Sequence, residues 1–158
     1  EIKRFYSHEF QLGTYALQLI YERLGIKLPE DEAGFIALHF VNAEYGTDIH
    51  DALKFPNQMN DIERIVEQEL GLELDEGSLH CERFVTHVKF LLQRIYRKEL
   101  LSSEDKELAQ MMQRKYPKEY NCSEKVAAYI KEATGCTLSD EEVMYLSVHI
   151  RRVTAVEK

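Results

Sequence analysis

The chain has 158 residues, 44% apolar and 30% charged, the make-up of an ordinary globular protein long enough for one large domain, or one domain plus part of another. Its 20 Lys and Arg stand against 28 Asp and Glu, a net charge of −8; readers of phosphate backbones carry a basic excess, so this chain is not expected to grip nucleic acid by itself. Cys81, Cys122 and Cys136 are odd in number without a Cys-x-x-Cys pair, which argues against a disulfide framework or zinc cluster and for a reducing, cytoplasmic setting, and no apolar run approaches the ~18 residues of a membrane span.

With three Pro, seven Gly and no Trp, long helices are easier to accommodate than a turn-rich β-sandwich. The opening Glu1-Ile-Lys-Arg-Phe-Tyr6 has neither an initiator Met nor signal-peptide architecture and starts inside what reads as a helix, so a fragment is expected. Pro29-Glu-Asp-Glu32 opens a helix carrying Phe35, Ile36, Phe40 and Val41. Tyr45–Pro56, with Gly46, Asp48 and Pro56, reads as a linker. Ile62, Ile65, Val66 and Leu70 follow helical spacing up to Gly71. Phe84, Val88, Leu91, Leu92 and Ile95 mark a long amphipathic helix from about Ser78 to Lys98. A shorter helix is expected from about Ser103 to Tyr116, closed by Pro117. Ser123 precedes the next apolar set, Val126, Ala127 and Ile130, which Gly135 stops. The last helix starts at Ser139-Asp-Glu-Glu142, a capping-box pattern, and bears the stripe Val143, Leu146, Ile150 and Val153. Sustained two-residue alternation is missing, so the expectation is an all-α protein.

An internal repeat organises these elements. Gly25–His39 lies over Gly135–His149 at an offset of 110 residues, the difference between 149 and 39. The same ungapped offset pairs Arg4 with Arg114, Tyr6 with Tyr116, Glu9 with Glu119, Ile20 with Ile130 and Glu32 with Glu142. Residues 1–48 are therefore expected to be the C-terminal part of one unit, with two or three helices. Residues 49–158 are expected to be a complete unit of five.

The six histidines are not equivalent. His39 and His149 occupy corresponding places in apolar helices, while His80, His87 and Arg94 are spaced by seven along one helix face. His8 and His50 lie in polar contexts and read as surface residues. A core histidine, a metal ligand and a phosphorylatable histidine are the competing readings. A di-iron site would place a Glu three residues before each His, whereas the acids before His39 and His149 are seven residues upstream. A phosphoryl acceptor needs cationic neighbours. Arg83 and Arg94 flank His87, and Arg151 and Arg152 follow His149. Spacing alone leaves the core and phosphorylation readings comparable.

The segment Leu28-Pro-Glu-Asp-Glu-Ala-Gly-Phe-Ile-Ala-Leu-His39-Phe-Val-Asn-Ala-Glu44 resembles the final helix of the first PTS-regulation domain (PRD) of BglG/LicT-type transcriptional antiterminators. Arg83-Phe-Val-Thr-His87-Val-Lys-Phe-Leu-Leu-Gln-Arg94 and Asp140-Glu-Glu-Val-Met-Tyr-Leu-Ser-Val-His149-Ile resemble the two histidine motifs of the second. The resemblance covers essentially the whole chain. It implies five-helix bundles whose histidines accept phosphoryl groups from the sugar phosphotransferase system, here His39, His87 and His149. The implied donors are a sugar-specific enzyme II for the first PRD, inhibiting, and the phosphocarrier HPr for the second, activating. The implied assembly is a homodimer whose contact phosphorylation biases, with RNA held only by an N-terminal domain outside this chain. The first histidine motif of the first PRD would fall before residue 1. No cofactor and no enzymatic activity are implied. His80 matches no motif and is left as a surface or structural residue. Two other readings stand beside this one: the PRD portion of a DNA-binding operon activator, and a helical metalloprotein ligated by His80, His87 and His149.

Overall fold

The computed structural model describes residues 1–102 and 106–156, the side chain of Val156 apart. Among these the chain forms eight helices and no strand: α1 (Ile2–Phe5), α2 (Ser7–Leu24), α3 (Asp31–Tyr45), α4 (Ile49–Leu70), α5 (Leu79–Arg97), α6 (Glu107–Lys115), α7 (Pro117–Thr134) and α8 (Asp140–Val156). The protein is all-α. It divides into two compact units, Glu1–Asn57 and Gln58–Lys158, with the boundary inside α4.

The repeat is written into the helix limits. α2 and α7 begin and end 110 residues apart, each after a tyrosine of similar backbone geometry: Tyr6 at φ −125°, ψ 48° and Tyr116 at φ −130°, ψ 64°. Each stops at a left-handed glycine, Gly25 at φ 68° and Gly135 at φ 75°, a conformation that costs a residue with a Cβ far more. The end of α1 at Phe5 likewise corresponds to the end of α6 at Lys115.

In the first unit α2 lies directly against α3. A Cβ placed on Gly13 would stand 2.3 Å from the Ala33 carbonyl oxygen, so only a glycine permits this approach. Ala33, Ala37, Leu38 and Val41 of α3 are buried with Phe5 and Tyr6. Tyr6, Tyr45 and Phe55 form an edge-packed aromatic cluster with centroids 5.9 to 6.3 Å apart.

In the second unit the core takes Ile62 and Val66 from α4, Phe84, Val88, Leu91, Leu92 and Ile95 from α5, Val126 and Ile130 from α7, and Val143, Leu146, Ile150 and Val153 from α8. These are the stripes expected from the periodicity. α5 is started by Ser78, whose hydroxyl accepts the Cys81 N–H at 3.1 Å. Cys81, Cys122 and Cys136 form no disulfide, and burial pushes the Cys122 thiol up to about 12.

Three boundary expectations are corrected. The segment 45–56 is not a linker, because α4 begins at Ile49 behind an Asp48 whose carboxylate accepts the Asp51 N–H at 2.7 Å. Pro56 sits inside that helix. α7 begins at Pro117 and not near Ser123: the proline occupies the first turn, where a missing N–H costs nothing, and Ser123 is buried with its hydroxyl donating to the Tyr120 carbonyl at 2.7 Å. α6 starts at Glu107, and Ser103, the expected start, lies outside the described residues.

Candidate functional site

α5 and α8 pack antiparallel, and two pairs of residues fix their register. At one level Arg94 donates two hydrogen bonds to the Glu142 carboxylate, Nε to Oε1 and Nη2 to Oε2, each 2.8 Å. One heptad away the imidazoles of His87 and His149 stack, with ring centroids 3.4 Å apart and planes inclined by 16°. His87 is seven residues before Arg94 and His149 seven after Glu142. On antiparallel helices, equal steps of two turns bring the second pair together once the first is made.

Glu142 is 1% exposed, and its Oε1 also accepts the Leu101 N–H at 3.0 Å. The capping box expected at Ser139 is thus half formed. The serine hydroxyl accepts the Glu142 N–H at 3.2 Å, while the glutamate side chain serves the interhelical pair.

His87 is exposed and His149 half-buried, so neither is a core residue sealed by apolar side chains. Desolvation and the positive charges of Arg152 and Arg94 hold the His87 imidazole below its usual pKa. Desolvation, then His87 and Arg152, push His149 down to about 4. Both rings are therefore neutral near pH 7, and a neutral imidazole has a free nitrogen lone pair for nucleophilic attack.

The four arginines near these histidines in sequence are deployed differently. Arg152 lines the clefts on both sides of the stack, and Arg83 lines one of them. Neither is paired with an acid among the described residues. Arg94 reaches the site, but its guanidinium is engaged by Glu142. Arg151 is not brought there: it lies over the Tyr116 ring at 4.7 Å and against Glu119 at 3.4 Å. His39 stands exposed on α3 of the first unit. At the position corresponding to Arg152, 110 residues earlier, that helix carries Asn42.

His80 is the residue that sequence reasoning passed over. It shares a cleft with Arg83, His87, His149 and Arg152, and its seven-residue step to His87 was the available signal. A metal site finds no support in the geometry: among the described residues no group of three or more His, Cys, Asp or Glu is placed to hold an ion. Nor is any described helix long and apolar enough to cross a membrane.

Fold and site together define an all-α bundle presenting a neutral histidine pair on two antiparallel helices. The PRD domain family matches residues 1–43 and 60–153. A beta-glucoside operon antiterminator of Dickeya chrysanthemi is 42% identical over 153 residues, 97% of this chain and 54% of that protein. The transcription antiterminator LicT of Bacillus subtilis (strain 168) is 40% identical over 153 residues, 97% of this chain and 55% of its own length. The protein GlcT of Staphylococcus haemolyticus (strain JCSC1435) is 30% identical over 150 residues, 95% of this chain and 52% of its own. This chain belongs to the PRD domain family. It spans about half the length of the curated relatives it matches.

Proposed function

We propose that this chain is the regulatory part of a transcription antiterminator, sensing sugar availability by accepting phosphoryl groups on His87, His149 and His39. The observation that carries this reading is the stack of two neutral, solvent-reachable imidazoles beside Arg152, which has no acid partner among the described residues. The antiterminator names of the relatives support the parent function. HPr is the proposed donor to His87 and His149, and a sugar-specific enzyme II the donor to His39. The protein is an acceptor in these transfers and not an enzyme acting on sugar, and it works in the cytoplasm, where both donors act.

In the transfer, a lone pair on His87 attacks the phosphorus of the donor's phosphohistidine. A new P–N bond forms as the donor's P–N bond breaks. The donor's leaving imidazole takes up a proton, and the acceptor ring releases the proton of its other nitrogen. Positive charge from Arg152 favours the neutral nucleophile before transfer and the phosphoryl anion after it.

The regulatory consequence follows from charge and distance. A phosphoryl group brings roughly −1.5 to −2 charges to a ring whose neighbour lies at 3.4 Å. The stack cannot close over it unchanged, so the α5–α8 face is remade. In a homodimer whose contact includes this face, phosphorylation then shifts association. RNA is engaged by an N-terminal domain of the full protein. Incubation with enzyme I, HPr and phosphoenolpyruvate, with each histidine changed to Ala in turn, tests the acceptor assignment. Site-dependent loss of label is expected, and label indifferent to every histidine would overturn the reading.

A further inference from the structure

Two clefts flank the histidine stack, and they differ in charge balance. The first, about 400 Å³, contains Arg94, but Glu142 lines it too and neutralises that guanidinium. The second, about 490 Å³, is lined by His80, Arg83, Phe84, His87, His149 and Arg152, with no acid among its described lining residues. Arg152 borders both clefts; in the first it stands beside the Arg94–Glu142 pair, whereas the second adds Arg83, which has no acid partner among the described residues.

We propose that the second cleft is an anion site that receives the phosphoryl group carried by His87, with His80 its hydrogen-bond donor and Arg83 and Arg152 its counter-charges. This rests on the phosphoryl-acceptor reading above and adds to it the residues that hold the group. Side chains on a helix lean towards its N-terminus, so the His87 ring leans towards the turns that carry Arg83 and His80. Arg83 is one turn before His87 on the same face, and His80 is one turn further. Seven residues rise about 10.5 Å, which leaves room for a phosphoryl group between the two rings. Arg152 comes from the facing helix and closes the cleft from the α8 side.

His80 has no competing structural duty. Ser78 caps the helix, and the His80 ring makes no hydrogen bond to a described residue. It is half-buried beside the cleft instead of lying free on the surface. An imidazole N–H and two guanidinium groups make a donor set suited to a tetrahedral dianion.

The test compares His80→Asn, His80→Gln and Arg83→Gln with wild type, and with Arg151→Gln as a control outside the cleft. Each is phosphorylated in two ways: by HPr with enzyme I and phosphoenolpyruvate, and by phosphoramidate, a small donor that needs no protein docking. The readouts are the rate at which His87 gains a phosphoryl group and the half-life of the product, followed by phosphorus NMR and intact mass. With both donors the cleft variants should lose about fivefold or more in rate or half-life, and Arg151→Gln should match wild type. Unchanged rates and half-lives in the cleft variants would overturn the anion site. So would a loss seen with HPr alone, because these residues would then be docking contacts. Cleft-dependent labelling by phosphoramidate with none by HPr would sustain the site while removing the phosphotransferase reading. Wild type labelled by neither donor would remove both.

Discussion

Arg94 and Glu142 are joined by two hydrogen bonds of 2.8 Å between helices that are 48 residues apart in sequence, and this junction sets where His87 and His149 meet. The glutamate is 1% exposed, while the arginine side chain keeps 29% of its surface. Removing the cation is therefore the more damaging change, since among the described residues it leaves the buried carboxylate with the Leu101 N–H alone. Arg94→Met should lower unfolding stability by about 3 kcal/mol, whereas an exposed ion pair contributes at most ~1 kcal/mol. Urea unfolding checks this, and a loss below that ceiling would count against the pair as the register lock.

The acid side of the stability profile follows from the histidine pair. His149 is pushed from the usual 6.5 down to about 4, so between those values the unfolded chain binds the proton that the folded chain refuses. This contribution to stability is fully present above about pH 6.5 and is lost as pH falls towards 4. His149→Asn should flatten the profile in that window. The Cε1 proton of His149 should titrate by NMR with a midpoint near 4, and a midpoint near 6.5 would contradict the site's electrostatics.

Close approach in the first unit makes a separate prediction. Gly13→Ala puts a Cβ 2.3 Å from a backbone oxygen of α3, where no side chain can swing aside. Overpacking of this kind costs about 1–3 kcal/mol. The corresponding change on α7, Ser123→Ala, removes a hydroxyl bonded to Tyr120 and adds no atoms, for a loss of about 1 kcal/mol. Thermal unfolding of the two variants should rank them in that order.

Much of this was legible in the sequence. The stripes of α5 and α8 carry the helical period, and the 110-residue offset foretold matched helix limits down to Gly25 and Gly135. One error came from reading Pro56 as part of a linker, whereas Pro117 does follow the end of α6 and also opens α7. Pro117 takes the first turn of α7, where a missing N–H costs little, while Pro56 lies inside α4 and Asp48 was the cap signal that marked that helix. Glu142 was read as a local cap because its interhelical partner is 48 residues away, beyond what periodicity reports. His80 was set aside for want of a motif, although its heptad step to His87 placed it on the same face. Whether Arg151 or Arg152 reached the stack depended on helix rotation, and the structure places Arg152 there.

Added charge at the stack should change association of the chain. His87→Asp and His149→Asp each bring a carboxylate to a pair of rings 3.4 Å apart, imitating the phosphoryl charge with fewer oxygens and a shorter reach. A coupling of about 1–3 kcal/mol corresponds to roughly 5- to 150-fold in an association constant. Sedimentation of wild type, both single variants and the double variant at matched concentrations measures it. Identical association in all four would separate phosphoryl acceptance from dimer control.

The central claim is that His87 and His149 are the acceptors through which HPr acts, and one measurement addresses it directly. HPr-dependent labelling from phosphoenolpyruvate is compared between wild type and the His87→Ala/His149→Ala double variant, with His39 left intact. Label should fall to the background seen without HPr, while each single variant retains part of it. Undiminished labelling of the double variant would contradict the assignment, and with it the function proposed for the stacked pair.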